Sequence, residues 1–296
     1  MSGPALRLRS PLFAPGDSAR KAEKALASPA DAVILDLEDS VAAAAKPAAR
    51  AMVAALLPGI ARGRGVIVRV NPHGTEWYLA DLAAVVPGRP DAVLLPKCTG
   101  ADDLLALDHH LEVLETAAGL PLGGIGVLPL VTETAASVLA MAGMAPSGSP
   151  MARRVIGFCF GAEDLSADLG IAPRRADHSF PAAVAHARAA MLVAAAAAGV
   201  PALDTPWPDP RDPEGLAREA ACAAEDGFAG KLCIHPGQIE AVNAAFTPSA
   251  ERLAWARRVR DGFAANPGAG VFALDGKMID RPHLKLAERI LAAGGQ

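Results

Sequence analysis

Eight short apolar runs alternate along the chain with longer, alanine-rich segments that have helical periodicity. The apolar runs cover Leu6–Ala14, Ala32–Leu37, Val66–Asn71, Ala92–Lys97, Gly126–Glu133, Val155–Gly161, Ala202–Trp207 and Lys231–His235. The helical segments cover Ser18–Ala27, Pro47–Leu57, Trp77–Val86, Asp102–Gly119, Thr134–Met144, Ala182–Gly199, Glu214–Asp226 and Gly237–Ala245. This strict alternation predicts parallel strands that are joined by right-handed crossover helices.

Such a chain suits either an open, doubly wound sheet or a closed (β/α)8 TIM barrel. An open sheet concentrates its polar residues at one switch point, whereas here polar residues follow nearly every apolar run. The glycine motifs of nucleotide-binding folds, GxGxxG and GxxxxGK[ST], do not occur. A barrel of this kind takes about 250 residues, so we predict an α/β fold with one barrel over residues 1–247.

Residues 248–296 exceed what a barrel needs for closure. They are predicted to form a helix over Ala250–Ala265, a strand-like segment over Val271–Leu274 and a last helix from Pro282. Such a tail either caps the base of the barrel or lies on a neighbouring subunit. We expect a C-terminal extension that packs on a neighbouring subunit.

Composition narrows the class of partner. Hydrophobic residues make up 52% of the chain and aromatic residues 4%, which suits a core of Ala, Val, Leu and Ile. A net charge of −4 without basic clusters argues against nucleic acid as a partner, and no apolar run reaches the roughly 20 residues of a membrane span.

The chain has four cysteines, and no two of them form a CxxC pair. They are Cys98, Cys159, Cys222 and Cys233, and we expect them to be buried free thiols of a cytoplasmic protein.

Polar side chains stand where the apolar runs end, and the carboxyl ends of barrel strands meet at one mouth. In chain order they are Asp36, Glu38, Asp39, Arg69, Asn71, Lys97, Glu133, Glu163, Asp164, Asp204 and His235. Acids from several strands, without a set of histidines or cysteines, favour a hard cation such as Mg²⁺. Any one acid is equally suited to cap a helix, although Thr134 and Ser166 are placed to cap their own helices instead.

The other candidates also have purely structural interpretations. Arg69 is placed to pair with Asp36 as an ion pair of the barrel core. Lys97 is placed to pair with a neighbouring acid, and His235, which precedes Pro236, is placed to close a loop. Convergence of all of them on one mouth is the observation that favours a functional site.

Several segments match one family together. They are Ser10–Gly16 (SPLFAPG), Ile34–Val41 (ILDLEDSV), Val68–Asn71 (VRVN), Leu95–Lys97 (LPK), Glu133–Thr134, Gly161–Leu165 (GAEDL), Gly230–Pro236 (GKLCIHP) and Asp275–Asp280 (DGKMID). In these segments the chain resembles the citrate lyase β-subunit-like (HpcH/HpaI aldolase/citrate lyase) family, CoA-ester lyase type. The resemblance runs from about residue 8 to about residue 290, in the order of the family.

The resemblance implies a set of metal-binding residues. Glu133 and Asp164 are expected to hold Mg²⁺ directly, and Glu38 and Asp39 to hold its water molecules. Arg69 is expected to grip the carboxylate and the carbonyl of the small acid, as a catalytic and substrate-binding residue.

The resemblance also implies further substrate contacts. Lys46 looks like the lysine that reaches the CoA or the acyl end, and Phe13, His235 and Pro236 are expected to bind substrate. Asp280 is expected to act as the acid/base over the mouth of a neighbouring subunit. The implied assembly is a homo-oligomer, a trimer or a hexamer.

The predicted function is a Mg²⁺-dependent carbon–carbon lyase that cleaves or forms a 3-hydroxyacyl-CoA thioester such as malyl-, citramalyl- or citryl-CoA. Chelation by Mg²⁺ acidifies the substrate hydroxyl, and the planar guanidinium of Arg69 suits a carboxylate or a developing enolate. Three alternatives stay open: a malyl-CoA-type thioesterase, a citrate lyase β subunit that acts on a carrier-protein thioester, and a non-catalytic barrel. The metal and arginine positions argue against the last.

Overall fold

The computed structural model describes residues 6–60, 65–144 and 153–295. The chain divides into two compact units, Met1–Val242 and Asn243–Gln296. The first unit carries all eight β-α units that the apolar pattern predicts.

Parallel strands and helices alternate throughout the first unit. The strands are β1 (Pro11–Pro15), β2 (Ala32–Asp36), β3 (Val66–Arg69), β4 (Ala92–Leu95), β5 (Gly126–Pro129), β6 (Phe158–Cys159), β7 (Ala202–Asp204) and β8 (Gly230–Lys231). The helices are α1 (Ala19–Leu26), α2 (Lys46–Leu56), α3 (Tyr78–Val85), α4 (Ala101–Ala117), α5 (Ala135–Ala140), α6 (Ala162–Asp168), α7 (Ala182–Ala198), α8 (Pro213–Asp226) and α9 (Ile239–Ala245). Each predicted strand is present and shorter than its apolar run, although β1 ends one residue later and β8 begins one residue earlier than predicted.

The eight strands close into a ring. Strands β1 to β5 pair in sequence order, as do β6 to β8. A bridge between Leu130 and Cys159 joins β5 to β6, and a bridge between Leu12 and Cys233 joins β8 back to β1. At this closure the Phe13 N–H donates to the Cys233 carbonyl at 2.8 Å. The predicted (β/α)8 barrel is therefore confirmed, and all strand ends share one rim.

Apolar side chains from every second strand position fill the barrel. The buried members of this interior cluster are Leu8, Ala32, Ile34, Ile67, Ala92, Leu94, Leu128, Leu130, Cys159, Leu203 and Leu232. Because the interior is packed with side chains, it offers no channel.

Helix α6 departs from the sequence interpretation. The sequence places Glu163 and Asp164 at the end of the sixth strand, but β6 ends at Cys159 and both acids lie in the first turn of α6. Seven residues are too few to show a clear helical period, so the sequence pattern does not predict this helix.

Cys98, Cys159 and Cys233 are buried free thiols, as expected. Cys222 is exposed, and for this residue the prediction was wrong. Helix α8 buries Leu216, Ala220 and Ala223, and Cys222 falls outside that face. None of the helices in the described ranges is long and apolar enough to cross a membrane.

The second unit has its own small core. Helices α10 (Ala250–Ala265) and α11 (Arg281–Ala293) pack together beside an antiparallel hairpin of β9 (Val271–Leu274) and β10 (Lys277–Asp280). The hairpin turn, Asp275-Gly276, has positive φ at both residues, 52° and 74°, as a tight two-residue turn requires. The sequence predicted the two helices and β9, but not β10.

Candidate active site

The ends of β2 and β3 present an ion pair with defined geometry. Asp36 and Arg69 are partners in the strand register. Arg69 Nε and Nη2 donate to the two carboxylate oxygens of Asp36, each at 2.7 Å. The guanidinium also lies over the Phe13 ring, 4.8 Å from its centroid. The ion-pair interpretation of Arg69 is confirmed, and the pair fixes the plane of the guanidinium at the mouth.

Asp36 also shapes the turn after β2. Its carboxylate accepts the N–H groups of Glu38 at 2.9 Å and Ser40 at 3.2 Å. Burial by itself would raise the pKa of Asp36, but the hydrogen bonds from Arg69 hold it below its ordinary value. Asp36 therefore stays ionised and sets the position of both Arg69 and Glu38.

Glu38 and Asp39 face the same guanidinium from that turn. Arg69 Nη1 lies 2.9 Å from Glu38 Oε2 and 3.9 Å from Asp39 Oδ2. Glu38 Oε2 is buried and no aligned donor hydrogen-bonds to it, so its contact with Arg69 is an ion pair alone. Burial raises the pKa of Glu38, against the nearby charges of Arg69 and Lys97.

Glu133 is a buried carboxyl group on the β5 side of the mouth, 3% exposed. Its Oε2 accepts the main-chain N–H of Lys97. Burial raises the pKa of Glu133 to about 8, and the nearby carboxylates of Asp164 and Glu38 add to the rise. Such a group favours a cation beside it, because a positive charge would stabilise its ionised form.

The helix that follows Glu133 is capped by its own residue. Thr134 accepts the Ser137 N–H at 3.0 Å and so leaves Glu133 free for the mouth, as the sequence predicts. The corresponding prediction for Ser166 was wrong, since its hydroxyl donates to the Ala162 carbonyl inside α6. A hydroxyl within a helix reaches the carbonyl four residues earlier.

Lys97 is the site residue for which the sequence predicts only an ion pair with a neighbouring acid. It lies directly after β4 with a positive φ of 50°, and its ammonium contacts Glu38. The same ammonium lies 3.4 Å from Asp39 Oδ1 and 3.9 Å from Asp164 Oδ1. The prediction that Lys97 pairs with a neighbouring acid is confirmed, but it pairs with a whole group of acids.

Asp164, in the first turn of α6, completes an acidic group that consists of Glu38, Asp39, Glu133 and Asp164. The Asp164 side chain is 39% exposed. Its neighbour Glu163 points away from the acidic group and forms an ion pair with Arg174, with 3.2 Å between Oε1 and Nη1. Within residues 6–60, 65–144 and 153–295, no group of three or more Asp, Glu, His or Cys side chains is arranged to hold a metal ion by itself.

A cavity of about 310 Å³ opens beside the acidic group. Its lining residues are Glu38, Asp39, Val41, Lys46, Asn71, Pro72, Thr75, Trp77 and Lys97. The Lys46 ammonium donates to the carbonyls of Leu37 at 3.0 Å and Glu38 at 2.8 Å and lies over the Trp77 ring at 5.1 Å. Lys46 therefore lines the cavity, and its contact with substrate stays a prediction.

His235 and Pro236 lie after β8, at the same rim. His235 is exposed, and its Nδ1 accepts the Gly237 N–H at 3.1 Å, which caps a short 3₁₀ turn over Pro236–Gln238. The loop-closing interpretation of His235 is thus confirmed. A role of these two residues in substrate binding stays a prediction.

Asp280 lies in the second unit, at the N-cap of α11. Its carboxylate contacts His283 Nδ1, and its N–H donates to the same nitrogen at 3.2 Å. Asp280 therefore lies in a helix-capping position. The side chain is 37% exposed, so the carboxylate is still open to solvent on one side.

Known proteins resemble this chain over nearly its whole length. Residues 9–236 match the model of the HpcH/HpaI aldolase/citrate lyase family. A "citrate lyase subunit beta-like protein" of Mycobacterium tuberculosis is 40% identical over 288 residues, which are 96% of this chain and 95% of the relative. A "(3S)-malyl-CoA thioesterase" of Cereibacter sphaeroides is 37% identical over 96% of this chain and 93% of its own length.

A solved structure supports the same relationship. The protein CitE of Mycobacterium tuberculosis, in complex with magnesium, acetoacetate and coenzyme A, superposes with a TM-score of 0.75 and 38% identity. The match covers 97% of this chain and 98% of CitE. From the matched family model and these relatives, the chain belongs to the HpcH/HpaI aldolase/citrate lyase family.

Proposed function

We propose that this protein is a Mg²⁺-dependent carbon–carbon lyase that cleaves or forms a 3-hydroxyacyl-CoA thioester of the malyl-, citramalyl- or citryl-CoA type. The observation that supports the proposal is the position of the acidic group beside the guanidinium of Arg69. Asp36 fixes the orientation of that guanidinium. This combination suits a substrate with a chelating hydroxyl and a carboxylate. The magnesium, acetoacetate and coenzyme A of the similar CitE structure support it.

The donors in the acidic group fit Mg²⁺, which prefers oxygen ligands and keeps several waters. In this proposal Glu133 and Asp164 hold the ion directly, and Glu38 and Asp39 hold its waters. Two features favour a cation here: the raised pKa of Glu133, and the buried Glu38 Oε2, which accepts no hydrogen bond although it lies 2.9 Å from Arg69 Nη1. When bound, Mg²⁺ supplies Lewis acidity that lowers the pKa of the substrate hydroxyl.

The side chains of the protein orient the substrate and move the protons. A guanidinium has five N–H donors. Asp36 takes two of those on Arg69, and Nη1 faces Glu38, so in this proposal the donors that remain on Nη1 and Nη2 serve the substrate carboxylate and thioester oxygen. Cleavage breaks the bond between the hydroxyl-bearing carbon and the thioester α-carbon. In this proposal Asp280 takes the hydroxyl proton, the electron pair of the broken carbon–carbon bond becomes the enolate of the thioester, and the protonated Asp280 then gives that proton to the α-carbon.

An assay with a panel of CoA esters tests the proposal. Malyl-, citramalyl- and citryl-CoA are each incubated with the protein, with and without Mg²⁺, and both keto acid and free CoA are measured. A lyase yields keto acid and an acyl-CoA at equal rates, only with Mg²⁺. Absence of keto acid from every ester would overturn the lyase assignment.

A thioesterase is the second candidate, because the Cereibacter sphaeroides relative carries that name. It would release free CoA and a hydroxy acid without keto acid in the same assay. A citrate lyase β subunit is the third, as the name of the Mycobacterium tuberculosis relative suggests. It would act on a carrier-protein thioester and ignore the CoA esters.

We expect Asp280→Asn to remove most of the turnover while Mg²⁺ binding stays intact. Asn caps a helix as well as Asp does, so the N-cap of α11 should tolerate the change. If Asp280 only caps the helix, kcat stays near that of the wild type. Measurement of kcat together with Mg²⁺ titration calorimetry separates the two outcomes.

The proposal places Asp280 at the active site of a second copy, within a cytoplasmic homo-oligomer such as a trimer or hexamer. Co-refolding Asp280→Asn protein with Glu133→Gln protein tests this arrangement. Each parent is expected to be inactive, and mixed oligomers should regain part of the activity. Mixed oligomers that stay inactive would argue that each site uses its own Asp280 or none.

We expect Gly161→Ala to weaken Mg²⁺ binding roughly 10- to 100-fold, as changes beside metal ligands do. A Cβ at Gly161 would lie 2.8 Å from Glu133 Cγ and would displace that side chain. The φ of Gly161, −108°, suits alanine, so backbone strain adds nothing. Gly100, which also precedes a helix, has nothing within 4 Å of its Cβ position, so Gly100→Ala is the matched control.

A further inference from the structure

Lys97 holds two parts of the acidic group at once. Its main-chain N–H donates to Glu133, and its side-chain ammonium contacts Glu38. The residue has a positive φ of 50°, which is uncommon outside glycine. In this left-handed conformation both the main chain and the side chain of Lys97 contact carboxyl groups at the mouth of the barrel.

The charge at the mouth is unbalanced without a further cation. The contacts described above link the carboxylates of Asp36, Glu38, Asp39 and Asp164, together with the buried carboxyl group of Glu133, to two cations, Arg69 and Lys97. Both cations approach Glu38 and Asp39, but the Lys97 ammonium also lies 3.9 Å from Asp164 Oδ1, so Lys97 reaches further into the acidic group.

The Lys97 ammonium contacts the same carboxylates that a hydrated divalent cation would use. It touches Glu38 and lies 3.4 and 3.5 Å from the two oxygens of Asp39. Asp164 Oδ1 is 3.9 Å away, within reach of Coulomb attraction but beyond a hydrogen bond. An ammonium and a divalent cation cannot both occupy the centre of this group, since like charges repel.

The Lys97 side chain is also free to leave. It is 35% exposed, and a lysine has a flexible four-carbon stem. The contact with Glu133 uses the main chain, so it does not depend on where the ammonium lies. The ammonium is therefore able to leave the group without moving the main-chain N–H that holds Glu133 in place.

We propose that Lys97 is a positioning residue that acts as a tethered placeholder cation. Its ammonium orders Glu38, Asp39 and Asp164 in the metal-free protein and moves out toward solvent when a divalent cation takes over their charge. Its N–H holds Glu133 in both states. This inference rests on the proposed metal site. It implies that Lys97 stabilises the metal-free protein and competes with the metal.

Neutral substitution of Lys97 tests the competition. We expect Lys97→Asn to lower the thermal midpoint in EDTA and to tighten Mg²⁺ binding about tenfold, which corresponds to about 1.4 kcal/mol. Asn tolerates the left-handed backbone conformation, so the N–H contact with Glu133 should survive. Lys97→Met, with a longer apolar stem, is the second variant if the first folds poorly. Lys21→Met, on the exposed surface of α1, is the matched control.

Chemical labelling of the wild-type protein gives a direct readout of the movement. Acetic anhydride modification of Lys97 is quantified by mass spectrometry with EDTA and with saturating Mg²⁺, and Lys21 in the same digest is the internal reference. Labelling of Lys97 should rise severalfold with Mg²⁺, while Lys21 is unchanged. Unchanged labelling of Lys97, or weaker Mg²⁺ binding in both variants, would overturn the placeholder role.

The outcomes also separate this inference from the proposed function. Wild-type protein that binds Mg²⁺, with variants that bind it no more tightly, refutes the placeholder alone. Wild-type protein that shows no Mg²⁺ binding by calorimetry refutes the proposed metal site and the placeholder together.

Discussion

Glu133→Gln should abolish Mg²⁺ dependence and reduce turnover by about two to three orders of magnitude. A metal that acts as a Lewis acid contributes several kcal/mol to the transition state, and each 1.36 kcal/mol is about tenfold in rate. Gln has the shape of Glu and can still accept the Lys97 N–H, so the variant should fold normally. The measurements are kcat with and without Mg²⁺ and Mg²⁺ titration calorimetry.

The same substitution should change how stability depends on pH. Burial raises the pKa of Glu133 from an ordinary 4.5 to about 8 in the metal-free fold. Because the folded state binds this proton more tightly than the unfolded state, the group contributes stability that is complete below pH 4.5. That contribution is lost as the pH rises through about 8. In EDTA, the thermal midpoint of the wild type should therefore fall over this window relative to Glu133→Gln.

Glu163→Gln is the matched control for this prediction. Glu163 is exposed, lies next to Asp164 and pairs with Arg174 rather than with the acidic group. Its neutralisation should leave Mg²⁺ binding and the pH profile close to those of the wild type. Wild-type turnover in Glu133→Gln would refute the role of Glu133 as a metal ligand.

Arg69→Lys should lose at least about tenfold in kcat/KM, roughly 1.4 kcal/mol of transition-state stabilisation, although the charge is kept. Arg69 places two parallel N–H groups on Asp36 and keeps further donors for the substrate. A lysine ammonium cannot bind Asp36 and the substrate at the same time, since it lacks the planar set of N–H donors of a guanidinium. Steady-state kinetics with the preferred CoA ester measures the loss.

Arg188→Lys is the matched control, because Arg188 is equally exposed at 12% and pairs through Nε with the buried Asp204 at 2.9 Å. Both variants should lower the thermal midpoint, but only Arg69→Lys should lower kcat/KM. A loss of less than about threefold, under roughly 1 kcal/mol, would show that Arg69 serves only the ion pair with Asp36.

The sequence alone determined the barrel and most of the rim. Alternation of apolar runs and helical segments predicts parallel strands, and the strands of the barrel all end at one rim. Asp36, Glu38, Arg69 and Glu133 could therefore be assigned to the mouth by their positions after apolar runs. The ion pair between Asp36 and Arg69 followed as well, because consecutive strands are neighbours and pair in register.

The tertiary structure decided what each of these side chains contacts. Lys97 meets Glu38 and Glu133, which are 59 and 36 residues away, through a left-handed turn that no local pattern signals. Asp164 lies in the first turn of a helix that is too short to show a helical period. The pKa of Glu133 depends on how deeply the barrel buries it. Strand periodicity sets the end of the barrel at which a side chain lies, but burial and long-range contacts determine its charge and its partners.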